Sequence, residues 1–133
     1  MARILVVDDE RAMVEMLGEM LTTAGHEVVL AGDLAQGFEL MKNQPLDLAL
    51  VDIGLPSGQQ AGLELLQKIK KHKSSIAVIM ITGAASQQRV VAALRGGAQD
   101  FLEKPFSTDE LLKRVETVLA QQKALGRHDR LLF

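Results

Sequence analysis

Carboxylate side chains follow two apolar runs of this chain, directly where each run ends. Asp8 and Asp9 come after the first run, and Asp52 comes after another. Carboxylates held together raise one another's pKa unless they share protons or a cation. Mg²⁺ would relieve that repulsion, because it binds a few carboxylates and keeps positions for water and phosphate oxygens. The acids therefore predict a magnesium site, provided that their strands lie side by side.

A hydroxyl and an amine, Thr82 and Lys104, follow two later apolar runs. A carboxylate is already ionised at neutral pH and can attack a phosphoryl group without a general base. The transition state spreads negative charge over three oxygens, which Mg²⁺, Lys104 and Thr82 would stabilise. Asp52 stands alone at its strand end and is the candidate nucleophile. The adjacent pair Asp8 and Asp9 is better suited to hold the cation.

Strand and helix patterns alternate five times along the chain. The predicted strands cover residues 4–7, 27–30, 47–51, 76–81 and 98–102. Continuous apolar strands separated by helices indicate a parallel sheet that is covered on both faces. We therefore predict an α/β fold, a doubly wound (βα)5 domain with a parallel five-stranded sheet. The three acids would be neighbours only if the first and third strands are adjacent. The flavodoxin-like order 2-1-3-4-5 supplies that adjacency, and the family resemblance given below implies the same order.

Apolar residues at helical spacing predict that each of the five helices buries one side. The stripe of the first helix includes Met16, and the stripe of the fourth consists of Val90, Val91 and Leu94. The last helix is expected to be interrupted at Gly126. Helix ends are predicted from caps and glycines, which are Asp33, Ser86, Ser107 with Glu110, Gly25 and Gly96-Gly97.

Composition limits the class of function. The 133 residues fit one domain, and the net charge of -2, with neither Trp nor Tyr, argues against direct binding of nucleic acid. No apolar run is long enough for a membrane span. The chain enters its first strand without a long apolar signal segment and contains no cysteine, so we expect a cytoplasmic location.

Four short motifs carry a family resemblance. They are residues 6–10 (VVDDE), 51–56 (VDIGLP), 81–83 (ITG) and 101–106 (FLEKPF). With these motifs in this order and spacing, the chain resembles the receiver domain of bacterial two-component response regulators, and most of all the receivers of transcriptional activators. The resemblance covers residues 1–122, which we interpret as one receiver domain. Residues 123–133 are interpreted as a C-terminal tail or a truncated linker.

The resemblance implies a role for each residue of the strand-end group. Asp52 is expected to accept a phosphoryl group from a sensor histidine kinase or a phosphotransfer protein. Mg²⁺ is the expected cofactor, bound by Asp8, Asp9, Asp52 and the backbone carbonyl of Gly54. These features imply a switch that is phosphorylated and dephosphorylated at its own site, and not a turnover enzyme.

The resemblance also implies how the signal leaves the site. Thr82 would hydrogen-bond the acyl phosphate, Lys104 would pair with it, and Phe101 would be the switch aromatic. The peptide bond between Lys104 and Pro105 would be cis, which proline permits. The output would be a changed surface on the fourth helix, fifth strand and fifth helix, read by an output domain, a partner or a second copy. Its polar residues would be Gln87, Gln88, Arg89, Arg95, Gln99 and Lys113.

Two other functions remain open from the sequence. One is a receiver-like docking module that is never phosphorylated, and the other is a phosphohydrolase with an aspartyl-phosphate intermediate. Such hydrolases commonly carry a second acid two residues after the nucleophile, where this chain has Gly54. The segment Ser57 to Ala61 makes the following loop about two residues longer than is usual in receivers. The basic run from Lys68 to Lys73 is interpreted as a solvated helix end.

Overall fold

The computed structural model describes residues 2–52, 61–83 and 87–132. In these ranges five strands alternate with five helices. They are β1 (Arg3–Val7), α1 (Arg11–Thr23), β2 (Glu27–Ala31), α2 (Leu34–Asn43), β3 (Leu48–Asp52), α3 (Ala61–His72), β4 (Ala77–Thr82), α4 (Gln87–Arg95), β5 (Asp100–Glu103) and α5 (Thr108–Leu132). All strand pairs are parallel, and the sheet order is β2-β1-β3-β4-β5. The predicted fold class and strand order are confirmed.

The sheet separates two apolar cores. Strands β3 and β4 are buried at every position. Because successive side chains of a strand point to opposite faces of the sheet, both strands contribute to both cores. Leu48 and Leu50 pack with residues of α1 and α5, whereas Ala49 and Val51 pack with residues of α2, α3 and α4. Burying each large aliphatic side chain stabilises the fold by about 1.5–3 kcal/mol. These two cores hold the ends of the central strands in fixed positions.

Several predicted helix ends occur as expected. The Asp33 carboxylate caps α2 by accepting from the Gln36 N–H at 2.8 Å, and the Ser107 hydroxyl accepts from the Glu110 N–H at 3.1 Å. Gly25, with φ of 97°, follows α1, and Gly97, with φ of 106°, follows α4. Ser86 lies outside the described residues. Capping residues were therefore reliable markers of helix ends in this chain.

The predicted apolar stripe of α4 is wrong. Val91 is 45% exposed and Leu94 is 42% exposed, while Ala93 is fully buried. Val91 and Leu94 are three residues apart and share a helix face, which is turned away from Ala93. Met16 on α1 is also exposed, whereas Leu17 and Leu21 are buried. Small residues decide which side of α4 lies on the sheet, and a count of large apolar residues misses them.

Helix α5 continues through Gly126 to Leu132, so the predicted interruption is wrong. A glycine inside a helix costs about 1 kcal/mol relative to alanine, a modest penalty compared with about 3 kcal/mol for proline, and here the helix continues through it. The 25 residues of α5 span about 37 Å. Within the described ranges, α5 included, the structure contains no helix with the length and apolar character to cross a membrane.

Candidate functional site

The predicted site residues lie at the carboxyl ends of four adjacent strands. Asp52 and Thr82 are the last residues of β3 and β4. Asp8 follows β1, and Lys104 follows β5. The strands pair in register at these ends, so the side chains meet along one edge of the sheet. In doubly wound sheets this edge is where ligands bind.

Three carboxylates form a compact cluster at this edge. One oxygen from each of Asp8, Asp9 and Asp52 lies within 4.8 Å of the others. Asp8 and Asp52 are buried and Asp9 is exposed, so the cluster opens to solvent on one side. This donor set fits a hard divalent cation such as Mg²⁺, which takes a few carboxylates and keeps waters. Gly54, the predicted carbonyl ligand, and the longer loop lie outside the described residues.

The Asp8 carboxyl of the cluster has a raised pKa. Its side chain is 1% exposed, and its pKa is raised from 3.8 to about 6, chiefly by burial. The Glu10 N–H, which donates to Asp8 Oδ1 at 3.0 Å, and the Lys104 ammonium lower the pKa, whereas the negative charge of Asp52 raises it. Without a bound cation, the negative charge of Asp8 at neutral pH is therefore energetically unfavourable.

The Lys104 ammonium stands between the two buried acids. Its Nζ lies 3.4 Å from Asp8 Oδ2 and 3.5 Å from Asp52 Oδ2. Burial opposes the charge of Lys104, but the two carboxylates outweigh burial and the pKa of Lys104 is raised. Lys104 is consequently charged at any physiological pH and lies within reach of a group bound to Asp52. One ammonium does not balance three acids, which leaves the cluster with net negative charge for a cation.

Thr82 and Phe101 connect the carboxyl-end edge of the sheet to the strands and the core. Thr82 is buried and pairs with Glu103, and its carbonyl accepts from the Lys104 N–H at 2.8 Å. Phe101 is half-buried, pairs with Met80 and packs against the core beneath α2, α3 and α4. The peptide bond between Lys104 and Pro105 is cis, the geometry that the resemblance implied.

Two polar networks were not predicted from the sequence. Gln99 Oε1 accepts from the Val78 N–H at 2.7 Å and from Lys70 Nζ at 3.2 Å, and Lys70 also donates to the Ile76 carbonyl at 2.6 Å. Gln99 Oε1 is therefore bonded within the fold, while the place of Gln99 on a partner surface stays a prediction. Lys70 is half-buried and bonded, contrary to the interpretation of the basic run as a solvated helix end. The second network joins Asp100 to Arg114. Residues so far apart in sequence carry no spacing signal.

The model of the response regulator receiver domain family matches residues 4–116 of the chain. The chain belongs to the receiver domain family. The response regulator MprA of Mycobacterium sp. strain KMS is 36% identical over 117 residues, which are 88% of this chain and 50% of that protein. MprA of Mycobacterium leprae strain TN is 34% identical over 121 residues, 91% of this chain and 52% of that protein. The chain spans about half the length of these curated relatives.

Solved receiver structures agree with this membership. A CheY-like receiver domain protein from Methanospirillum hungatei JF-1 superposes with a TM-score of 0.88 at 35% identity, covering 93% of this chain and 98% of that one. NtrX from Brucella abortus, solved in complex with ATP, has a TM-score of 0.92 at 35% identity, covering 98% of this chain and 29% of NtrX. The fold described here is therefore that of a response regulator receiver domain.

Proposed function

We propose that this receiver domain is a phosphorylation-controlled switch in which Asp52 accepts a phosphoryl group. One observation carries the proposal, namely the cluster of Asp8, Asp9 and Asp52 with the Lys104 ammonium within 3.5 Å of both buried acids. A structural ion pair needs one acid for each base, whereas this cluster holds three acids around one base. Membership of the receiver family supports the same assignment.

The chemistry follows from the positions of the four side chains. An Asp52 oxygen attacks the phosphorus of a phosphohistidine on a sensor kinase or phosphotransfer protein, the phosphorus–nitrogen bond breaks, and the histidine leaves with its electron pair. A bound Mg²⁺ would neutralise charge on the transferred oxygens. Asp8 and Asp9 would hold that ion. Lys104 pairs with a phosphoryl oxygen on Asp52, and the Thr82 hydroxyl donates to another.

The output that we propose is a changed surface on α4, β5 and α5. The exposed apolar residues Val91 and Leu94 lie on α4, next to the charged Arg95, and exposed apolar groups are what a partner or a second copy buries on binding. To act as a switch, phosphorylation must favour the binding-competent conformer by several kcal/mol. Such a domain signals by binding a partner. The phosphoryl group on Asp52 marks its active state and is not the product of a turnover reaction.

Acetyl phosphate and beryllofluoride, each with Mg²⁺, test the proposal. Intact-mass analysis of the wild-type domain with acetyl phosphate should show one added phosphoryl group that is labile to base and hydroxylamine, as an acyl phosphate is. Asp52→Asn should show none, and Asp109→Asn, which removes an exposed carboxyl from α5, should behave as wild type. Removing Mg²⁺ with a chelator should abolish the adduct.

The outcomes separate the competing functions. An adduct that forms on wild type and on Asp109→Asn, but not on Asp52→Asn, supports the switch. Continuous release of phosphate from small phosphate esters would instead indicate the phosphohydrolase. A domain that folds, binds Mg²⁺ and forms no adduct with either reagent would leave only the docking module, and the proposal would be wrong.

A further inference from the structure

Among the residues that the structure describes, strand β5 lies at an edge of the sheet and is paired on one side only, with β4. Edge strands leave a row of backbone N–H and C=O groups without a strand partner. At Phe101 side chains take that place. The Phe101 N–H donates to Asp100 Oδ1 at 2.8 Å, and the Phe101 carbonyl accepts from Arg114 Nη1 at 3.2 Å. Both polar backbone groups of Phe101 are thus bonded by side chains.

The two side chains also bind each other. Arg114 Nη1 donates to both oxygens of Asp100, at 2.9 and 3.0 Å. Both side chains are partly buried, with 39% of Arg114 and 27% of Asp100 exposed. Hydrogen bonds between charged groups are roughly twice as strong as neutral ones, and arginine keeps its charge at every physiological pH. The pair therefore closes the open edge of β5 at Phe101 and connects β5 to α5.

We propose that Arg114 is a positioning residue of the switch, which with Asp100 fixes the backbone of Phe101 so that its ring alone changes packing. This inference rests on the proposed function, because it assigns a task within that switch. When the Phe101 backbone is fixed, its ring can adopt only a few packed positions. Because Arg114 belongs to α5 and binds β5, the position of α5 is coupled to the position that the ring adopts. If the Phe101 backbone moved freely, phosphorylation of Asp52 would no longer change the position of α5.

Fluorine NMR and amide hydrogen exchange provide the test. The protein contains four Phe residues, so labelling with 4-fluorophenylalanine gives a simple spectrum in which Phe101→Leu assigns the Phe101 signal. Wild type, Arg114→Gln, Arg114→Lys and Lys123→Gln are compared with and without beryllofluoride and Mg²⁺. Lys123→Gln is the matched control, because it removes an exposed positive charge from the same helix. Protein-bound beryllofluoride reports adduct formation in the same spectra.

We expect wild type and Lys123→Gln to form the adduct and to shift the Phe101 signal. Arg114→Gln should form the adduct equally well and lose most of that shift. Its Phe101 amide should exchange about tenfold faster, as loss of a charged hydrogen-bond network predicts. Arg114→Lys should recover part of both, since lysine keeps the positive charge but lacks the planar guanidinium that binds Asp100. If Arg114→Gln does not fold, Asp100→Asn replaces it, because it removes the charge and keeps an oxygen for the Phe101 N–H.

The failures are distinguishable. An adduct in Arg114→Gln with an unchanged Phe101 shift and unchanged amide exchange overturns the positioning role and leaves the phosphoacceptor function intact. Absence of an adduct in wild type overturns the function, and the inference that rests on it falls as well.

Discussion

Replacing Asp8 by Asn should stabilise the domain in the absence of metal, even though it removes a residue of the proposed site. The pKa of Asp8 is raised from 3.8 to about 6 in the folded state, so the folded state binds this proton more tightly than the unfolded chain. The favourable contribution of protonated Asp8 is complete below about pH 3.8 and is lost as the pH rises through about 6. At neutral pH the buried charge is a net cost.

The size of that cost follows from the shift. The difference between 3.8 and about 6 is roughly two pKa units, and each unit corresponds to 1.36 kcal/mol. Asp8→Asn should therefore raise the free energy of unfolding by up to about 3 kcal/mol at about pH 7.5 without metal. Asp8 interacts with Asp52 in a cluster that opens to solvent on one side, so this figure is an upper bound.

Urea unfolding measures the effect as a change in midpoint at constant slope. Wild type and Asp8→Asn are compared in chelator at about pH 7.5 and at about pH 4, where both carry a neutral group and should have similar stability. Asp9→Asn is the control, because it removes the same charge from an exposed neighbour and should stabilise less. Added Mg²⁺ should stabilise wild type by mass action and Asp8→Asn much less. A gain that is absent at about pH 7.5, or equal at both pH values, would refute the reasoning.

Two further substitutions test the surroundings of the site and the end of α4. Lys104→Gln without metal should lower the free energy of unfolding by about 1–3 kcal/mol, because it leaves Asp8 and Asp52 without their cation. In urea unfolding the same substitution should cost less in an Asp8→Asn background than in wild type, and an equal cost in both backgrounds would contradict the pairing. Gly97→Ala should destabilise by more than about 1 kcal/mol, since its φ is 106° and its Cβ would meet the Lys70 side chain at 3.4 Å. Gly25→Ala is the control in thermal unfolding, because Gly25 has a φ of 97° and no atom within 4 Å of its Cβ. An equal loss of stability in the two variants would mean that the Lys70 side chain moves aside at no cost.

The strand-end group could be predicted because the sheet leaves few alternatives. A buried parallel strand presents its last side chains at one edge of the sheet, so an acid that ends an apolar run has its place set by topology. The register pairs Val7 with Val51 and Thr82 with Glu103, which puts Asp8, Asp52 and Lys104 on adjacent strand ends without any knowledge of loops. Sequence periodicity and strand order therefore predicted which side chains share this edge, while their chemical roles stay a prediction.

The contacts of long polar side chains could not be predicted in the same way. Lys70 follows the apolar stripe of α3, and the basic residues around it suggested a solvated helix end. In the structure its ammonium bonds the Ile76 carbonyl and Gln99 Oε1, which only the packing of α3 beside the turn before β5 brings within reach. The sequence records which face of a helix is apolar, but a lysine stem can extend from that face in several directions.

The two unpredicted networks lie at different points along the short β5. Gln99 binds the backbone of Val78 just before the strand begins, and Arg114 binds Asp100 and the Phe101 carbonyl at its start. At the other end, the Lys104 N–H bonds the Thr82 carbonyl beside the three carboxylates. β5 is thus held at its entry by side chains and at its exit by the chemical site. Because both ends of β5 are held, we expect that a displacement of Thr82 on phosphorylation would be accommodated by repacking of the Phe101 ring between them.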